Sequence, residues 1–492
     1  MSAAVARLLA EWESDPANTY GAEVVNLESR GGAVFVASDL HIGAGLSADG
    51  VYDGLENFLA DEAFGRFLEW AHRRAGDRSA ILVINGDFID FIRIVNLPAN
   101  DGDFEAWRDT LAKLGIQLSL ESLRAGITRK EREFGLKTND YKSVYKLMTA
   151  VHGHRLLFAA LAVWIERGHR LVITKGNHDL EWYWPAVRNY LRLALAEALE
   201  GRETGTDAGA ALTNHVLPRV QFADNALVVD GDVYIEHGHR YDRYTRVLGG
   251  PVLPGGAELN IPFGSFFNRY VINTVELRYP YADKVRPAEN LLALMVREHF
   301  FVALKLLFFH IPFVVRIIPK RYYRYVFARA LPMAAALALP VALMVWNLRH
   351  SIVSLLTRGS SPSLASTTGQ DIGLPVLSYF LGRIVAYLQL EEPTDLDQPA
   401  RQVLAHQPRF RLATFGHTHN PTQFTAQRQH YCNSGTWIPI VETSTAELRE
   451  DRTYTFLELH FGPDGLIAEP FLQRWNDDAV RADPLVVVRP GD

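Results

Sequence analysis

Short apolar segments rich in β-branched residues alternate along this chain with longer segments of helical periodicity. The short segments read as buried strands, and they are GAVFVAS, AILVIN, RLVIT, DVYIE and RLATF, beginning at Gly32, Ala80, Arg170, Asp232 and Arg411. Between them, FGRFLEWAHRRAG and HRLLFAALAVWIERG space their apolar residues at three and four and end at a glycine, as amphipathic helices do. This alternation predicts an α/β protein.

The length and cysteine content limit the class of protein further. A chain of 492 residues, 48% of them hydrophobic, can fill two or three domains, or one large domain with insertions. The single cysteine, Cys432, excludes an internal disulfide and a multi-cysteine zinc site. Glu11 and Glu13 lie where a signal peptide would need an apolar core, so we expect a cytoplasmic protein.

Side chains that can bind metal follow directly after each predicted strand. They lie in the motifs SDLH, GDFID, GNHD, HGH and GHTH, and they are Asp39, His41, Asp87, Asn177, His237, His417 and His419. In open α/β sheets, ligands collect in the crevice beyond the carboxyl ends of the strands. We therefore expect these loops, although distant in sequence, to converge on one place.

The types of side chain indicate which ions such a site would take. Carboxylates, an amide and imidazoles without a thiolate suit Mn²⁺, Fe²⁺, Co²⁺ or Zn²⁺. Seven ligands are too many for one ion, whereas two ions ~3.5–4 Å apart that share a carboxylate would use them all. The sequence predicts two divalent ions, with Mn²⁺ the first choice.

In this order, the motifs DLH, GDFID, GNHD, HGH and GHTH resemble the signature of the calcineurin-like metallophosphoesterase superfamily. The resemblance implies that fold, a two-sheet β-sandwich flanked by helices, here with a largely helical insertion. It also implies a division of the ligands: Asp39, His41 and His419 hold one ion, Asn177, His237 and His417 hold the other, and Asp87 bridges both. The implied activity is that of a metal-dependent phosphoesterase.

The GNHD motif alone is also compatible with an ordinary polar turn. Within the resemblance, Asn177 is a ligand and His178 faces the substrate as an acid or as a stabiliser of transition-state charge. Asp179 is then expected to orient the His178 ring. The nucleophile implied for attack on phosphorus is a hydroxide that bridges the two metal ions.

Within the superfamily, LVINGDFIDF, RGHRLVITKGNHD and GHTHNP resemble the bacterial branch that contains the UDP-2,3-diacylglucosamine diphosphatases. The protein-phosphatase branch carries Asp-Arg-Gly after the GD motif and Glu after GNH, and this chain has neither. The resemblance implies cleavage of a phosphoester or pyrophosphate bond in a lipid-linked or nucleotide-linked substrate at the inner face of the membrane. The chain departs from that branch by its extra length between His237 and His417.

The extra segment has an unusual charge. From His299 to Gln370 the chain contains no Asp or Glu but eight Lys and Arg, although the whole chain has a net charge of −6. Aliphatic runs with aromatic and basic residues are typical of a segment at a bilayer interface with anionic headgroups. We expect residues 300–350 to dock on a membrane; a buried helical subdomain and a membrane-spanning segment remain alternatives.

These features predict a domain organisation. It comprises a helical extension (1–30), the first part of the metallophosphoesterase core (31–240), a mostly helical, basic and apolar insertion (241–405), the second part of the core (406–475) and a tail (476–492). Two other functions stay open, a nuclease or nucleotide phosphodiesterase and a non-catalytic membrane adaptor. Long aliphatic runs are a poor surface for a phosphate backbone, so we do not expect nucleic acid as a partner.

Overall fold

The computed structural model describes residues 2–15, 18, 20–201, 207–277, 320–323, 396–442, 447–448, 452–467, 471–485 and 487. The chain divides into two compact units. The first comprises Met1–Arg269, Pro393–Ile440 and Arg449–Asp492, and the second comprises Tyr270–Glu392 and Val441–Leu448. Every predicted site residue belongs to the first unit.

One of the two main sheets in the described residues is mixed and has seven strands. In spatial order they are β17 (Arg481–Pro484), β16 (Leu472–Asn476), β13 (Thr455–Leu459), β2 (Val34–Ala37), β3 (Ile81–Asn85), β4 (Arg170–Thr174) and β5 (Val220–Ala223). Strands β2, β3, β4 and β5 run parallel to one another. Strand β13 pairs antiparallel with β2. Strands β16 and β17 follow it, each antiparallel to the strand before it, and β17 forms the edge of the sheet.

The other main sheet in the described residues is also mixed and has six strands. In spatial order they are β1 (Val24–Leu27), β6 (Ala226–Val229), β7 (Val233–Glu236), β8 (Leu412–Phe415), β10 (Gln429–Asn433) and β9 (Thr422–Ala426). Strands β7, β8 and β10 are parallel. The predicted extension thus supplies β1 to this sheet, and the predicted tail supplies β17 to the other.

Two short antiparallel pairs complete the described strands, β14 (Phe461–Gly462) with β15 (Gly465–Leu466), and β11 (Val441–Glu442) with β12 (Glu447–Leu448). The β14–β15 pair surrounds the GPDG turn, and β13 pairs with β16 beyond it. Gly and Pro at these positions are typical of a tight turn between antiparallel strands.

The described helices of the first unit cover the outer faces of its sheets or connect its strands, and one short described helix lies in the second unit. They are α1 (Ser2–Ser14), α2 (Asp61–Ala75), α3 (Asp101–Lys113), α4 (Leu120–Ala125), α5 (Arg129–Phe134), α6 (Asp140–Gly153), α7 (Arg155–Glu166), α8 (Pro185–Leu199), α9 (Ala208–Ala211), α10 (Phe263–Phe267), α11 (Asn273–Glu276, in the second unit) and α12 (Asp397–His406). Single 3₁₀ turns at Leu180–Tyr183 and His239–Tyr241 follow two of the strand-end motifs.

The central strands are apolar on both faces because both faces are covered. Val34 and Val36 of β2 pack between the two sheets, in one cluster with Val233 and Ile235 of β7. Phe35, the residue between them, points the other way and packs with helix α2. A continuous run of β-branched and aromatic residues is typical of a strand buried in this way. The two sheets therefore pack face to face with helices outside, as the sequence predicted.

The register of the strands places their carboxyl ends together. Ala37 at the end of β2 lies opposite Ile84 near the end of β3, and Ile84 lies opposite Ile173 near the end of β4. In the other sheet, Ile235 of β7 lies opposite Thr414 of β8. The loops that follow these strands consequently leave the sandwich at one edge.

The predicted strands and both predicted amphipathic helices are confirmed by β2, β3, β4, β7, β8, α2 and α7. Most of the predicted insertion, including all but four of residues 300–350, lies outside the described residues. Among the helices that are described, none is long and apolar enough by itself to cross a membrane. Helices α6 and α7, bent by 92° at their junction, pass the same test of length and composition only as a pair.

Candidate metal centre

The loops after the parallel strands bring the predicted ligands together. Potential ligand atoms lie within 4.8 Å of one another in three sets: Asp39, His41 and His419; His41, Asp87 and His178; and Asp87, His237 and His417. The first two sets share His41, and the last two share Asp87. The sets therefore form one continuous cluster, built from both sheets, of largely buried His and Asp side chains that could hold metal ions.

Around His41 the ligand atoms are spaced as they would be around one ion. The Nε2 atoms of His41 and His419 are 3.0 Å apart, and His419 Nε2 is 3.3 Å from Asp39 Oδ1. Atoms that share an ion with bonds of about 2.0–2.2 Å lie roughly 3–3.5 Å from one another. These separations fit a metal better than they fit two unprotonated nitrogens facing each other.

Asp87 lies between this group and the second one. Its Oδ2 is 3.2 Å from His237 Nε2 and 3.7 Å from His41 Nε2. Its Oδ1 accepts a hydrogen bond of 2.8 Å from the backbone N–H of His178. A Cβ atom at Gly176 would lie only 2.1 Å from the same oxygen, so the GNHD loop can reach Asp87 only with glycine there. Asn177 is the residue between these two contacts.

Three of the predicted ligand atoms have no hydrogen-bond partner among the described residues. Asp39 Oδ1, Asn177 Oδ1 and His237 Nε2 are buried and accept or donate no hydrogen bond. An unsatisfied buried polar atom costs about 1–3 kcal/mol and is uncommon in a native structure. These unsatisfied atoms are grouped near Asp87, and a cation bound there would satisfy them. The side chains at this site therefore fit a bound cation.

Three of the predicted ligand histidines are held in place through the ring nitrogen that does not face the centre. His41 Nδ1 is 3.1 Å from Asp90 Oδ2, and His237 Nδ1 is 2.8 Å from the backbone oxygen of Asn85. His417 Nε2 is 3.3 Å from Asp242 Oδ2. Metal-binding histidines commonly donate their second N–H to a carboxylate or carbonyl, which fixes the tautomer and the ring orientation. Each of these rings therefore has one nitrogen left for the centre.

The backbone of the site is strained. Ten described non-glycine residues have a positive φ between 48° and 69°, and half of them are predicted ligands: Asp39, His41, Asp87, His417 and His419. Such conformations cost about 1–3 kcal/mol each and cluster at functional sites, where surrounding contacts impose them. The concentration of strain at the ends of β2, β3 and β8 marks this edge as functional rather than as ordinary turns.

The electrostatics of the cluster favour charged side chains. Burial raises the pKa of Asp87, but His237, His178 and His41 outweigh this and hold that pKa well below its usual value. Burial lowers the pKa of His237, whereas Asp87 and Asp39 together raise it to about 9. The protonated form of the His237 imidazole is thus favoured beside these carboxylates in the metal-free protein. Metal ions would displace that proton and balance the carboxylates in its place.

His178 and Asp179 of the GNHD motif have different surroundings. His178 is partly exposed, with its Nδ1 atom 2.9 Å from Asp90 Oδ2. Asp179 is fully buried and accepts backbone hydrogen bonds from Phe88 (2.9 Å) and Gly176 (2.6 Å). The contact expected between Asp179 and the His178 ring is therefore made by Asp90, while Asp179 ties the two loops together. Burial and the neighbouring Asp87 raise the pKa of Asp179 to about 6.

Two acidic residues contact the predicted histidines from outside the centre; the sequence gives Asp90 no role and leaves Asp242 open between an outer or substrate contact and an ordinary loop residue. Asp90 contacts both His41 and His178 and lies 3.3 Å from Arg93 Nε. Asp242 contacts His417. Asp90 is the last residue of the five-residue stretch GDFID, so the motif already contained it. Asp242 follows the HGH motif closely, but nothing in the sequence connects it with a histidine far along the chain.

His239, the second histidine of the HGH motif, is also buried beside the centre. Its ring lies 5.4 Å from the ring of His237, and its Nδ1 atom has no hydrogen-bond partner among the described residues. Burial, with His237, holds its pKa well below the usual value. It is a neutral imidazole at the rim of the predicted ligands.

The fold and the centre define the class of protein: an α/β protein with two mixed sheets and a buried His and Asp cluster that could bind metal. Comparison with protein-family models and with curated proteins finds no match to this chain. Its function has to be inferred from the geometry of the cluster.

Proposed function

We propose that this chain is a dinuclear-metal hydrolase of phosphoester or pyrophosphate bonds, built on the calcineurin-like metallophosphoesterase plan. The main support is a set of buried ligand atoms near Asp87 that have no hydrogen-bond partner among the described residues: Asp39 Oδ1, Asn177 Oδ1 and His237 Nε2. The order of the DLH, GDFID, GNHD, HGH and GHTH motifs along the chain supports the same class. A buried cluster of this composition is unfavourable for a purely structural role.

In this proposal the residues divide between two ions. Asp39, His41 and His419 hold one, Asn177, His237 and His417 hold the other, and Asp87 is shared. When bound, two such ions supply a nucleophile at neutral pH and neutralise charge on the phosphoryl oxygens. Mn²⁺ is the first candidate, and Fe²⁺, Co²⁺ and Zn²⁺ suit the same donor atoms.

The catalytic work of the chain itself falls mainly on His178. Its side chain is 16% exposed, whereas His41 and Asp90 beside it are buried, so it can reach a substrate. Asp90 Oδ2, 2.9 Å from His178 Nδ1, orients the ring. His178 can then donate a proton to the leaving oxygen or stabilise negative charge on the phosphoryl group. Asp179 contributes by fixing the loop that carries His178.

The substrate we propose is amphiphilic: a lipid-linked or nucleotide-linked phosphoester or pyrophosphate, met at the inner face of a membrane. The support is the similarity of three motif regions to the UDP-2,3-diacylglucosamine diphosphatase branch and the acid-free, basic segment from His299 to Gln370. Each basic residue close to an anionic surface contributes about 1 kcal/mol of attraction. Residues 300–350 would supply that attraction.

A hydrolysis screen tests the activity. Metal-free protein is reloaded with Mn²⁺ and offered UDP-linked diacyl lipids, simple nucleotide diesters, oligonucleotides and phosphoproteins. We expect hydrolysis of the UDP-linked lipid to exceed that of the other substrates. Preference for oligonucleotides would instead support a nuclease, and no hydrolysis of any phosphoester by metal-loaded protein would contradict the proposal.

Vesicle sedimentation tests the membrane partner separately. We expect the protein to sediment with anionic vesicles and to be released by high salt, because surface attraction is screened. Replacing Arg316, Lys320, Arg321 and Arg324 with Gln should weaken sedimentation but leave hydrolysis of a small soluble ester unchanged. The matched control replaces the exposed Arg129, Arg132, Arg409 and Arg428, an equal loss of charge outside the basic segment. Equal sedimentation of both variants would contradict docking through residues 300–350.

A further inference from the structure

A second buried group of charged side chains lies next to the metal centre. It consists of Glu56, Asp61 and His154, here called the His154 cluster. His154 Nε2 is 3.1 Å from Glu56 Oε2, and His154 Nδ1 is 3.0 Å from Asp61 Oδ2. The side chains of His154 and Glu56 are completely buried. Because buried charges are costly unless paired, an imidazolium between two carboxylates is a built arrangement rather than a chance contact.

Glu56 connects this cluster to the loop that carries His41. Its carboxylate accepts hydrogen bonds from the backbone N–H groups of Gly43 (3.1 Å) and Gly45 (2.6 Å). It also accepts from the N–H groups of Asn57 and Phe58, which fix the carboxylate itself. Gly43 is only two residues after His41, so Glu56 holds the chain directly beyond a predicted ligand.

The loop from Gly43 to Leu46 is also in close backbone contact with the C-terminal end of helix α6. A Cβ at Gly153 would lie 1.9 Å from the backbone oxygen of Ala44, and a Cβ at Gly45 would lie 2.5 Å from the carbonyl carbon of Gly153. Leu46 donates a hydrogen bond of 3.1 Å to the Gly153 oxygen. The backbone from Gly43 to Leu46 can therefore hardly move without displacing His154 or Glu56.

His41 needs such a support. Its φ of 49° is unfavourable for a non-glycine residue, and the neighbouring contacts have to impose it. On one side it is held by its own N–H, which donates to the backbone oxygen of Asp87. On the other side, the backbone of Ile42 donates to Phe88 and accepts from Asp90, and the chain beyond Ile42 is held by Glu56 through Gly43 and Gly45.

We infer that the His154 cluster positions His41 and so sets the metal affinity of the subsite formed by Asp39, His41 and His419. The cluster does not touch the ions or the substrate; it acts through the backbone of the Gly43–Gly45 loop. The inference rests on the proposed function only in taking this centre to bind metal.

The test measures metal affinity rather than activity. Metal-free protein is titrated with Mn²⁺, and the two dissociation constants are followed by electron paramagnetic resonance of free Mn²⁺. We expect Glu56→Gln to weaken one of the two affinities by ~10–100-fold, the usual effect of losing an outer support of a ligand, and to leave the other unchanged. His154→Gln should weaken the same affinity less, and Asp61→Asn least, because each is one contact further from the loop.

Combining Glu56→Gln with a substitution in either subsite shows which of the two Mn²⁺ affinities it weakens. In His237→Ala protein, where the subsite with His41 remains, Glu56→Gln should still weaken Mn²⁺ binding. In His419→Ala protein, where that subsite is disabled, Glu56→Gln should have no effect on the remaining ion. Coupling of this kind is what a positioning role predicts, whereas general destabilisation would weaken both subsites alike.

His169 supplies the matched control. It is a buried histidine just before β4, at the opposite end of the strand from the GNHD loop, and its Nδ1 accepts a hydrogen bond of 3.0 Å from Ala80. His169→Gln should lower the melting temperature without changing either Mn²⁺ affinity. If Glu56→Gln does not fold, His154→Gln and Asp61→Asn decide the question with the same titration.

The outcomes separate this inference from the proposed function. Unchanged affinities in all folded cluster variants, with wild-type protein binding two ions, would overturn the positioning role alone. Wild-type protein that binds two ions but hydrolyses no phosphoester would overturn the function and leave the titration valid. Wild-type protein that binds no Mn²⁺ would overturn both.

Discussion

The metal centre and the His154 cluster are both buried groups of His and acidic side chains, yet they differ in whether their polar atoms have partners. Both ring nitrogens of His154 contact carboxylates, and both Glu56 oxygens accept hydrogen bonds. At the metal centre, His237 Nε2 and Asp39 Oδ1 have no hydrogen-bond partner among the described residues. The satisfied cluster can therefore be structural by itself, whereas the other has unsatisfied buried atoms of the kind that a bound cation would satisfy.

The contrast is sharper because the two regions look alike in sequence. His152-Gly153-His154 and His237-Gly238-His239 are the same tripeptide. The first spans the end of helix α6 and the junction with α7, and its second histidine is paired with Glu56 and Asp61. The second follows strand β7 and points its first histidine at Asp87. The two histidines therefore differ by their place in the fold and not by their motif: His237 follows a strand and is a candidate ligand, whereas His154 follows a helix and belongs to the His154 cluster.

Among the tests of this difference between the metal centre and the His154 cluster, we expect the largest loss of activity and of bound metal from a substitution of Asp87. Asp87→Ala should abolish hydrolysis and reduce bound metal, because Asp87 is the only predicted ligand shared by both ions. Elemental analysis after dialysis and a hydrolysis assay with the best substrate measure the two effects. Asp61→Ala, which removes a carboxylate from the satisfied cluster, is the comparison. Full turnover by Asp87→Ala after chelation and reloading would contradict the assignment.

The next effect separates chemistry from metal binding. His178→Ala should lower kcat by ~10²–10⁴, the usual contribution of a positioned acid or base, and leave both ions bound. Its ring faces Asp90 and is partly exposed, which suits a group that meets substrate. Steady-state kinetics and elemental analysis on the same preparation provide the measurement. Loss of metal together with activity would make His178 a ligand.

A smaller effect should distinguish the two aspartates near His178. Asp90→Asn should lower kcat by ~10–100-fold, because Asp90 holds both His41 and His178. Asp179→Asn should lower the melting temperature, because its oxygens accept backbone hydrogen bonds that join two loops. Its kcat at saturating Mn²⁺ should fall less than that of Asp90→Asn. The reverse ranking in kcat would restore Asp179 as the orienting residue.

Much of the fold was accessible from the sequence because buried parallel strands leave a direct signal. VFVA, ILVIN and RLVIT are buried on both faces over nearly their whole length, and their apolar composition is typical of parallel strands covered on both sides. The candidate ligands were accessible for a related reason, since each directly follows such a strand. Strand β1 was not predicted: VVNL is short, partly exposed at the edge, and pairs with a strand about 200 residues later.

The outer contacts could not be predicted, because they join residues that are distant in the chain. Asp242 lies 175 positions before His417, and Glu56 lies 98 positions before His154. No local pattern encodes such a pair. Asp179 shows the opposite problem: its neighbour in sequence, His178, is not its partner in space, because the loop turns its carboxylate toward Gly176 and Phe88.

The smallest predicted effect concerns the pH dependence of the satisfied cluster. Burial lowers the pKa of His154, but its hydrogen bonds to Asp61 and Glu56 and the charges of both outweigh this and raise it to about 9. These are the charged groups in contact with the ring; His152 and Arg155, on either side in the chain, contact each other instead. The folded-state pKa is thus above the value of about 6.5 expected in the unfolded chain.

A raised pKa of this kind stabilises the folded state fully below about pH 6.5 and loses its effect as the pH rises through about 9. Urea unfolding of metal-free protein should therefore give a difference in free energy of unfolding between wild type and His154→Gln that is larger at pH 6 than at pH 10, by up to about 3 kcal/mol. Titrations shared by both proteins cancel in this difference. A difference that stays constant over this range would mean that His154 is neutral in the folded protein, and the cluster would then hold the His41 loop by hydrogen bonds without a buried positive charge.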